Sequence, residues 1–373
     1  MPPIRILIVD DSAVIRKVLM EGLSSDPALE VAATAATGSI ALAKIPQVNP
    51  DLVTLDVEMP GMNGIETLAE IRKLYPKLPV VMFSTLTERG AATTLEALAR
   101  GASDYVTKPS NTGSLEVTLK QIREHFIPKV KALCAANLRT ASVATPARSA
   151  QLGKKEIARV DILAIGASTG GPNALADLIP ELPGDFPVPV VITQHMPPVF
   201  TRLFAARLNE KSPLKIQEGA PGQIVNPGEV WIAPGDFHMT VERHGTAVRL
   251  ATNQNTPENS CRPAVDPMFR SVAATFGANV LGVVLTGMGS DGVNGAQHIR
   301  ERGGQVFVQD EASSVVWGMP GQVAQAGQAD AVYSLKNMAQ EIIRRVALKR
   351  SPLAGINAGS VAQPRGSFME GQR

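Results

Sequence analysis

The sequence feature that most constrains the fold is a short segment in the middle of the chain, residues 161–172 (DILAIGASTGGP). An apolar run rich in isoleucine and leucine stops at small residues, two glycines follow, and Pro172 suits the first turn of a helix. This pattern predicts a buried strand, a tight turn and the start of a helix. Ser168 lies in the turn, beside backbone N–H groups that a new helix leaves without partners. Taken alone, such a serine is either a candidate nucleophile or merely a small residue that fits a crowded turn.

Length and composition indicate a two-domain α/β protein of the cytoplasm. A chain of 373 residues is long for a single core, and its composition is 44% hydrophobic and 19% charged. The formal net charge of +2 argues against nucleic-acid binding. The chain has two cysteines, Cys134 and Cys261, which argues against a disulfide framework. We find neither a secretory signal nor an apolar segment long enough to span a bilayer, and we therefore expect no membrane insertion.

In the first 125 residues, strand-like apolar runs alternate with helical segments. The runs cover residues 4–9, 29–35, 52–55, 79–83 and 104–107. Alternation of this kind favours a parallel sheet that helices cover on both faces, and in such sheets ligands bind at the carboxyl ends of the strands. The polar residues at those ends are Asp10, Asp11, Asp56, Ser84 and Lys108.

These residues predict a magnesium site and a phosphoryl acceptor. Carboxylates gathered at one edge of a sheet repel one another unless a hard divalent cation lies among them, and Mg²⁺ takes oxygen ligands. Lys108 adds a mobile positive charge and Ser84 adds a hydroxyl. Together such groups are able to hold a phosphoryl group that is bound to a carboxylate nucleophile.

Residues 1–125 resemble a response-regulator receiver domain. The resemblance rests on residues 7–12 (LIVDDS) and 55–64 (LDVEMPGMNG), on Ser84 and on Lys108-Pro109. It implies a flavodoxin-like doubly wound parallel sheet in which Asp56 accepts phosphate from a histidine kinase. It also implies Mg²⁺ ligation by the side chains of Asp10, Asp11 and Asp56 and the carbonyl of Glu58. The remaining implied roles are a switch for Ser84 and Tyr105 and a phosphate contact for Lys108.

The helical and strand periodicity weakens after this region. Residues 126–158 are assigned to a linker, because the stretch 138–155 is poor in large apolar residues and rich in small and basic ones. Residues 350–373, with their glycine, proline and serine, are predicted to be a disordered tail. A second domain is therefore expected within residues 159–349.

Strands and helices alternate again in residues 159–349, which predicts a second, Rossmann-like doubly wound α/β domain. A hairpin is predicted within it, pairing residues 239–243 with 247–250. Three other strands end in residues that complement one another chemically, Ser168, His195 and Asp291. A serine hydroxyl needs a base, histidine serves as that base near neutral pH, and a carboxylate fixes the tautomer of the imidazole. Each residue alone also fits a purely structural role.

Two other motifs in this domain favour different functions. Residues 166–170 (GASTG) match the G-x-S-x-G elbow of α/β-hydrolases, but that fold needs the order serine, acid, histidine, and here His195 precedes Asp291. Residues 287–292 (GMGSDG) match G-x-G-x-x-G after a strand, which indicates a dinucleotide site. Asp291 argues against that alternative, because a carboxylate in the loop would repel a pyrophosphate.

Three segments of the second domain resemble the CheB family of chemotaxis protein-glutamate methylesterases: 166–172 (GASTGGP), 194–197 (QHMP) and 285–292 (LTGMGSDG). The resemblance implies that Ser168, His195 and Asp291 form a catalytic triad. It implies hydrolysis of glutamate methyl esters, and deamidation of glutamines, on the cytoplasmic helices of methyl-accepting chemoreceptors.

A triad hydrolyses esters without a metal or cofactor, but it needs donors for the oxyanion. The glycine-rich turns supply backbone N–H groups, and we name those of Thr169 and Met288 as candidates.

Two domains joined by a linker indicate that the first controls the second. We expect the receiver to lie across the active-site mouth until a chemotaxis histidine kinase phosphorylates Asp56, which would repack Ser84 and Tyr105 and open the mouth. The competing class is a non-enzymatic output domain such as a transcription factor. The second domain shows no basic recognition helix or helix-turn-helix pattern, which disfavours that class.

Overall fold

The computed structural model describes residues 2–108, 115–139 and 158–349, and these residues form two α/β domains. The elements of the first domain are β1 (Ile4–Val9), α1 (Ala13–Leu23), β2 (Leu29–Ala35), α2 (Gly38–Val48), β3 (Leu52–Asp56), α3 (Gly64–Leu74), β4 (Val80–Ser84), α4 (Glu88–Ala99), β5 (Asp104–Thr107), α5 (Leu115–Gln121) and α6 (Ile127–Arg139). The elements of the second domain are β6 (Ile162–Ala167), α7 (Gly171–Leu178), β7 (Val190–Gln194), α8 (Phe200–Lys211), β8 (Lys215–Glu218), β9 (Glu229–Ile232), β10 (His238–His244), β11 (Ala247–Asn253), α9 (Val265–Phe276), β12 (Val280–Val284), α10 (Val293–Glu301), β13 (Gln305–Gln309), α11 (Met319–Gln325), β14 (Ala331–Tyr333) and α12 (Leu335–Ala347).

The sheet of the first domain has five parallel strands in the order β2-β1-β3-β4-β5. This is the flavodoxin-like doubly wound order that the sequence predicted. Strands β3 and β4 are buried along their whole length, because helices cover both faces of the sheet. Side-chain caps fix the helix starts: Ser12 accepts the N–H of Ile15 at α1, and Asn63 and Glu66 form a capping box at α3.

A helix continues the first domain past residue 125. Residues 127–139, which the sequence assigned to a linker, form α6 after a π-helical turn at Ile122–Phe126. Val130, Leu133 and Cys134 of this helix are buried in the apolar cluster of the first domain, so α6 packs against that domain. The rest of the assigned linker, 140–157, and the assigned tail, 350–373, lie outside the described residues.

The sheet of the second domain has seven parallel strands in the order β14-β13-β12-β6-β7-β9-β8. From β6 the chain builds one side of the sheet through β7, β8 and β9, and it then crosses over to build the other side from β12 to β14. The strand order therefore reverses between β6 and β12. In open α/β sheets the crevice at such a reversal, at the carboxyl ends of the strands, is where ligands bind.

Of two further elements of this domain, the sequence predicted one and missed the other. The predicted hairpin is confirmed, since β10 and β11 pair antiparallel around a turn in which Gly245 has a φ of +60°. The edge strand β8 was not predicted. Its segment Lys215–Glu218 has one buried residue, Ile216, and therefore carries almost no apolar pattern.

The two domains are in direct contact. The ring of Tyr105 in β5 stacks on that of Phe200 in α8, with centroids 4.8 Å apart and planes inclined by 6°. Beside this stack, Arg202 of α8 pairs with Glu88 of α4. Val316 of the second domain belongs to the apolar cluster of the first. Among the described residues, none of the helices has the length and apolar character that crossing a membrane requires.

Candidate active site and phosphoacceptor pocket

Ser168 lies in the tight turn between β6 and α7. Its backbone N–H donates to the carbonyl of Thr286 at 3.1 Å, which ties this turn to the loop after β12. The turn closes where the N–H of Gly171 donates to the carbonyl of Ser168 at 2.7 Å, and Gly170 has a φ of +77°. A Cβ at Gly170 would lie 2.6 Å from the Cβ of Val315. Glycine is therefore required here both by the backbone conformation and by the available space.

His195 and Asp291 are hydrogen-bonded to each other. Nε2 of His195 lies 2.7 Å from Oδ2 of Asp291, and both side chains are largely buried. The carboxylate also accepts the backbone N–H groups of Val265 at 2.6 Å and of Asp266 at 3.0 Å. Burial opposes the negative charge, but the hydrogen bonds from His195 and from these backbone groups outweigh it and lower the pKa of Asp291. Asp291 is therefore an ionised and well-oriented acceptor for the imidazole.

A second buried carboxylate, Asp266, lies beside Asp291. Nδ2 of Asn259 is 3.0 Å from a carboxylate oxygen of each and donates to both. Oδ1 of Asp266 accepts the N–H groups of Gly292 at 3.0 Å and Gly295 at 2.6 Å. Burial, with the neighbouring charge of Asp291, raises the pKa of Asp266. The sequence did not single out Asn259 or Asp266, because one lies in a loop without periodicity and the other looks like an ordinary acid at a helix start.

The other ring nitrogen of His195 faces a cysteine. Nδ1 lies 3.4 Å from Sγ of Cys261, in the loop before α9. Burial disfavours the imidazolium, but the sulfur of Cys261 and the carboxylate of Asp291 outweigh this effect and raise the pKa of His195 to about 10. A histidine with this pKa is protonated at neutral pH and accepts no proton from a serine. The contacts of this arrangement therefore hold the histidine in its charged form.

Ser168 and His195 open onto the same cavity, which has a volume of about 510 Å³. Their side chains are not hydrogen-bonded to each other, since His195 uses Nε2 for Asp291 and Nδ1 for Cys261. The structure thus brings the three predicted residues to one rim of the sheet. It joins His195 to Asp291 directly and leaves the hydroxyl of Ser168 as a neighbour in the cavity.

The backbone N–H groups of Thr169 and Met288 are available as donors. Within the described residues, neither N–H donates a hydrogen bond. The two turns that carry these N–H groups lie close together: a Cβ built at Gly287 would be only 2.9 Å from the Cβ of Ser168. Thr169 lines the cavity, and Met288 packs against the apolar cluster of the first domain. Unpaired N–H groups beside a nucleophile are the kind of donor that an oxyanion needs.

The first domain forms one wall of this cavity. Tyr105, His125 and Lys129 line it from that side, opposite Ser168 and His195 of the second domain. The cavity onto which Ser168 opens therefore lies between the two domains.

Asp10, Asp11 and Asp56 form a carboxylate cluster at the carboxyl ends of β1 and β3. One oxygen of each lies within 4.8 Å of the others. Nζ of Lys108 is 3.0 Å from Oδ2 of Asp10 and 2.7 Å from Oδ2 of Asp56. Burial raises the pKa of Asp56 to about 6 despite the hydrogen bond from Lys108, and the charge of Asp10 adds to this increase. Carboxylate oxygens clustered in this way fit a hard divalent cation such as Mg²⁺.

The other receiver residues lie around this cluster. The N–H of Glu58 donates to Oδ1 of Asp56 at 3.2 Å, so the backbone of Glu58 runs beside the carboxylates. Ser84 is fully buried at the end of β4, and its hydroxyl donates to the carbonyl of Thr85 at 3.1 Å. Tyr105 is buried between the domains. Pro109, the partner of Lys108 in the sequence motif, lies outside the described residues.

Two family models match the chain, one in each domain: a response regulator receiver domain over residues 6–120 and a CheB methylesterase over residues 163–342. A protein-glutamate methylesterase/protein-glutamine glutaminase of Trichodesmium erythraeum is 52% identical over 351 residues, covering 93% of this chain and 100% of the relative. A protein of the same name from Nocardioides sp. is 50% identical over 365 residues, covering 96% of this chain and 100% of the relative.

Solved structures match each domain separately. The Thermotoga maritima CheB methylesterase catalytic domain is 40% identical and covers 50% of this chain and 99% of that chain, with a TM-score of 0.49. The response regulator domain of Thermotoga maritima CheB is 43% identical and covers 35% of this chain and 94% of that chain, with a TM-score of 0.31.

The fold and the two family models define a response regulator in which a receiver domain precedes a methylesterase domain with a parallel α/β sheet. The similarity to the relatives extends over nearly the whole chain and narrows this class of protein to one family. The chain belongs to the CheB family of protein-glutamate methylesterases/protein-glutamine glutaminases. The resemblance drawn from the sequence motifs is thereby confirmed.

Proposed function

We propose that this protein hydrolyses glutamate methyl esters, and deamidates glutamines, on the cytoplasmic helices of methyl-accepting chemoreceptors, with Ser168 as the nucleophile. The names of its relatives support the reaction. The observation that carries the proposal is the shared cavity, which is lined both by Ser168 and by His195, and His195 is hydrogen-bonded to Asp291. These residues are the nucleophile, the base and the orienting carboxylate that acyl transfer uses.

In the acylation step, the hydroxyl oxygen of Ser168 attacks the ester carbonyl carbon while Nδ1 of His195 takes the hydroxyl proton. Nδ1 is the nitrogen assigned to this role because Asp291 holds Nε2. The oxyanion that forms accepts the N–H groups of Thr169 and Met288. When it collapses, the bond to the methoxy oxygen breaks, and His195 returns the proton so that methanol leaves. With a glutamine side chain, ammonia leaves instead.

In the deacylation step, His195 takes a proton from a water molecule that attacks the acyl-enzyme. The bond to the serine oxygen breaks, the glutamate side chain is released, and Ser168 regains its proton. Every group in these steps is a side chain, a backbone N–H or water. The proposed hydrolysis therefore requires no metal or cofactor.

Catalysis requires His195 to leave the charged form in which Cys261 and Asp291 hold it. The sulfur of Cys261 is the largest of the influences that raise the pKa of this histidine, and it also occupies Nδ1. If the hydroxyl of Ser168 took the place of the Cys261 sulfur at Nδ1, that nitrogen would be free to accept a proton. The pKa of His195 would fall at the same time. We infer that the arrangement described above is the resting one.

We infer that phosphorylation of Asp56 by a chemotaxis histidine kinase controls this exchange. Mg²⁺ would be held by the carboxylates of Asp10, Asp11 and Asp56 and the carbonyl of Glu58. When bound, it supplies positive charge for the incoming phosphoryl group.

The route from Asp56 to the cavity runs through Tyr105. Lys108, now 2.7 Å from Asp56, would pair with the phosphate, and the hydroxyl of Ser84 would turn from the Thr85 carbonyl toward it. A repacked Tyr105 would lose its stack on Phe200, which is part of the contact that keeps the receiver over the cavity.

Methanol release from methylated receptor fragments tests the proposed function, with and without a small-molecule phosphodonor. We expect release by the full-length protein, faster release when the phosphodonor is added, and no acceleration in Asp56→Asn. Absence of release under both conditions would refute the substrate. Release that does not respond to the phosphodonor would refute control by the receiver.

A further inference from the structure

Cys261 is a second nucleophile within reach of the same histidine. Its sulfur lies 3.4 Å from Nδ1 of His195, and Nε2 of that ring is 2.7 Å from Asp291. Sulfur, imidazole and carboxylate thus form a continuous row, whereas the hydroxyl of Ser168 shares the cavity without bonding to the ring. A thiol next to a base that a carboxylate orients is the arrangement that activates a cysteine.

The loop that carries Cys261 holds the sulfur in place. The backbone N–H and carbonyl of Cys261 exchange hydrogen bonds with those of Glu258, at 2.9 and 3.1 Å. Glu258 is in turn paired with Arg270 of α9 at 2.5 Å, and the next residue, Arg262, is paired with Asp236 at 2.6 Å. The half-buried thiol lines the cavity of about 510 Å³, which has room for a small reagent.

We propose that Cys261 is a covalent modification site for small soft electrophiles, activated by His195, and that its modification keeps His195 from reaching Ser168. The second half rests on the proposed function, since it assumes hydrolysis through Ser168. With iodoacetamide, the proton that the Cys261–His195 pair shares stays on Nδ1 of His195, and the sulfur attacks the methylene carbon. An S–C bond forms, the C–I bond breaks, and iodide leaves. The adduct then occupies the space between the imidazole and the serine hydroxyl.

The chain supplies its own control in its other cysteine, Cys134. That thiol is buried in α6, and its sulfur faces the carbonyl of Asp51 at 3.8 Å instead of a base. Burial, with the charge of Asp51, raises the pKa of Cys134 to about 12. A thiol so placed stays protonated at neutral pH and reacts slowly. Comparing the two cysteines within one molecule therefore measures what the histidine adds.

The first part of the proposal, that His195 activates Cys261, is tested by labelling the full-length protein with iodoacetamide at neutral pH. Peptide mass mapping at successive times gives the rate at each cysteine. We expect Cys261 to be labelled at least about tenfold faster than Cys134. We expect His195→Gln to slow the labelling of Cys261 by about tenfold, because an unassisted thiol is only about a few per cent thiolate at this pH. His298→Gln, on the exposed face of α10, is the matched control and should leave the rate unchanged.

Protection of Cys134 in each variant shows that the protein labelled was folded. Equal labelling of the two cysteines in the wild type would overturn the assignment. So would the same rate at Cys261 in the wild type and in folded His195→Gln.

Ester hydrolysis measured on the same samples tests the second half. Cys134→Ala retains Cys261 as its one thiol, and its methanol release should fall as the labelling proceeds. Cys261→Ala should release methanol at the same rate as an untreated sample of the same variant. Full release by completely labelled Cys134→Ala would overturn this half. If no unlabelled sample releases methanol, the proposed function fails, and the labelling rates alone still decide whether His195 activates Cys261.

Discussion

His195 has two ring nitrogens, and three side chains compete for them. Asp291 holds Nε2 at 2.7 Å and Cys261 faces Nδ1 at 3.4 Å, which leaves Ser168 without a nitrogen. The contact at Nδ1 is the longer of the two, and sulfur is a weak hydrogen-bonding atom. A substrate that brings the serine hydroxyl toward Nδ1 then has only that partner to displace. The chemistry of the site is therefore decided at a single nitrogen atom.

The raised pKa of His195 makes folding stability depend on pH. The pKa of about 10 in the folded protein lies above the ordinary 6.5, so the protonated ring stabilises the fold. This contribution is complete below about pH 6.5 and is lost as the pH rises through about 10. We expect the free energy of unfolding of the wild type to fall across that window relative to His195→Gln. Urea unfolding at several pH values measures it, and curves that stay parallel would contradict the assignment.

Asp56 also makes the folded state less stable as the pH rises, but here the ionised form is the unfavourable one. Its pKa is raised from 3.8 to about 6, mainly by burial, so ionising it destabilises the folded receiver as the pH rises from about 4 to about 6. Asp56→Asn keeps the shape and removes the charge. We expect it to raise the free energy of unfolding by about 1–3 kcal/mol at neutral pH and by little near pH 4.

Thermal unfolding of Asp56→Asn at both pH values checks this expectation. Asp11→Asn is the control, since that carboxylate is exposed and should change stability less. A less stable Asp56→Asn protein at neutral pH would show that burial does not strain this carboxylate.

The site residues at strand ends could be predicted from the sequence, and those in the loops could not. An apolar run ends just before Ser168, His195 and Asp56, so each could be placed at a sheet edge. Asn259 and Cys261 reach the site because their loop folds back across 32 residues to Asp291 and 66 residues to His195. No local pattern encodes which loop residues meet over such separations.

At the scale of elements, the same local design places two of the candidate catalytic residues. Gly170 and Gly292 form the N-terminal caps of α7 and α10, and both have a positive φ, +77° and +95°. Ser168 and Asp291 lie in the turns just before these helices. Strand β7 ends differently, because Pro197 follows His195 closely and cannot donate to a sheet.

Substituting Gly170 separates the effect of backbone conformation from that of space. Gly327 has a similar φ of +70° but no neighbouring atom within 4 Å, whereas a Cβ at Gly170 would lie 2.6 Å from that of Val315. We expect Gly327→Ala to lower the free energy of unfolding by about 1 kcal/mol and Gly170→Ala by at least about 2 kcal/mol more. Gly170→Ala should also reduce methanol release, since the turn carries Ser168. Chemical denaturation measures both losses, and equal losses would contradict the steric argument.

Element prediction succeeded where burial extends along a whole segment. Strands β3, β6 and β12 are fully buried, and their apolar runs are unmistakable. Strand β8 shows one buried residue, and α6 buries a narrow stripe through Val130, Leu133 and Cys134. A short edge strand and a helix with one thin apolar stripe leave too little pattern to separate them from loops.

At the scale of the whole molecule, the contact between the domains is mixed in character. The stack of Tyr105 on Phe200 is apolar, and beside it Arg202 pairs with Glu88 at the solvent-exposed border. Contacts between domains that combine apolar and charged groups in this way generally permit relative motion. We therefore expect a modest change in interaction energy to shift the population toward the proposed open arrangement.

Reversing one charge at this border should release the second domain. Arg202→Glu sets an acidic side chain against Glu88, and we expect basal methanol release to rise about two- to fivefold, because exposed ion pairs contribute roughly 0.2–1 kcal/mol. The double variant Arg202→Glu with Glu88→Arg should return to the wild-type rate. Initial rates without phosphodonor measure the effect. Unchanged rates in both single variants would exclude this pair from the control of activity.

Ser168, His195 and Asp291 are proposed to act as one catalytic unit. Methanol release from methylated receptor fragments by Ser168→Ala, Asp291→Asn and their double variant tests it most directly. We expect Ser168→Ala to lose at least about a thousandfold in kcat with an unchanged melting temperature, and the double variant to be no slower than Ser168→Ala alone. Near-normal turnover by Ser168→Ala, or losses that multiply in the double variant, would contradict the account.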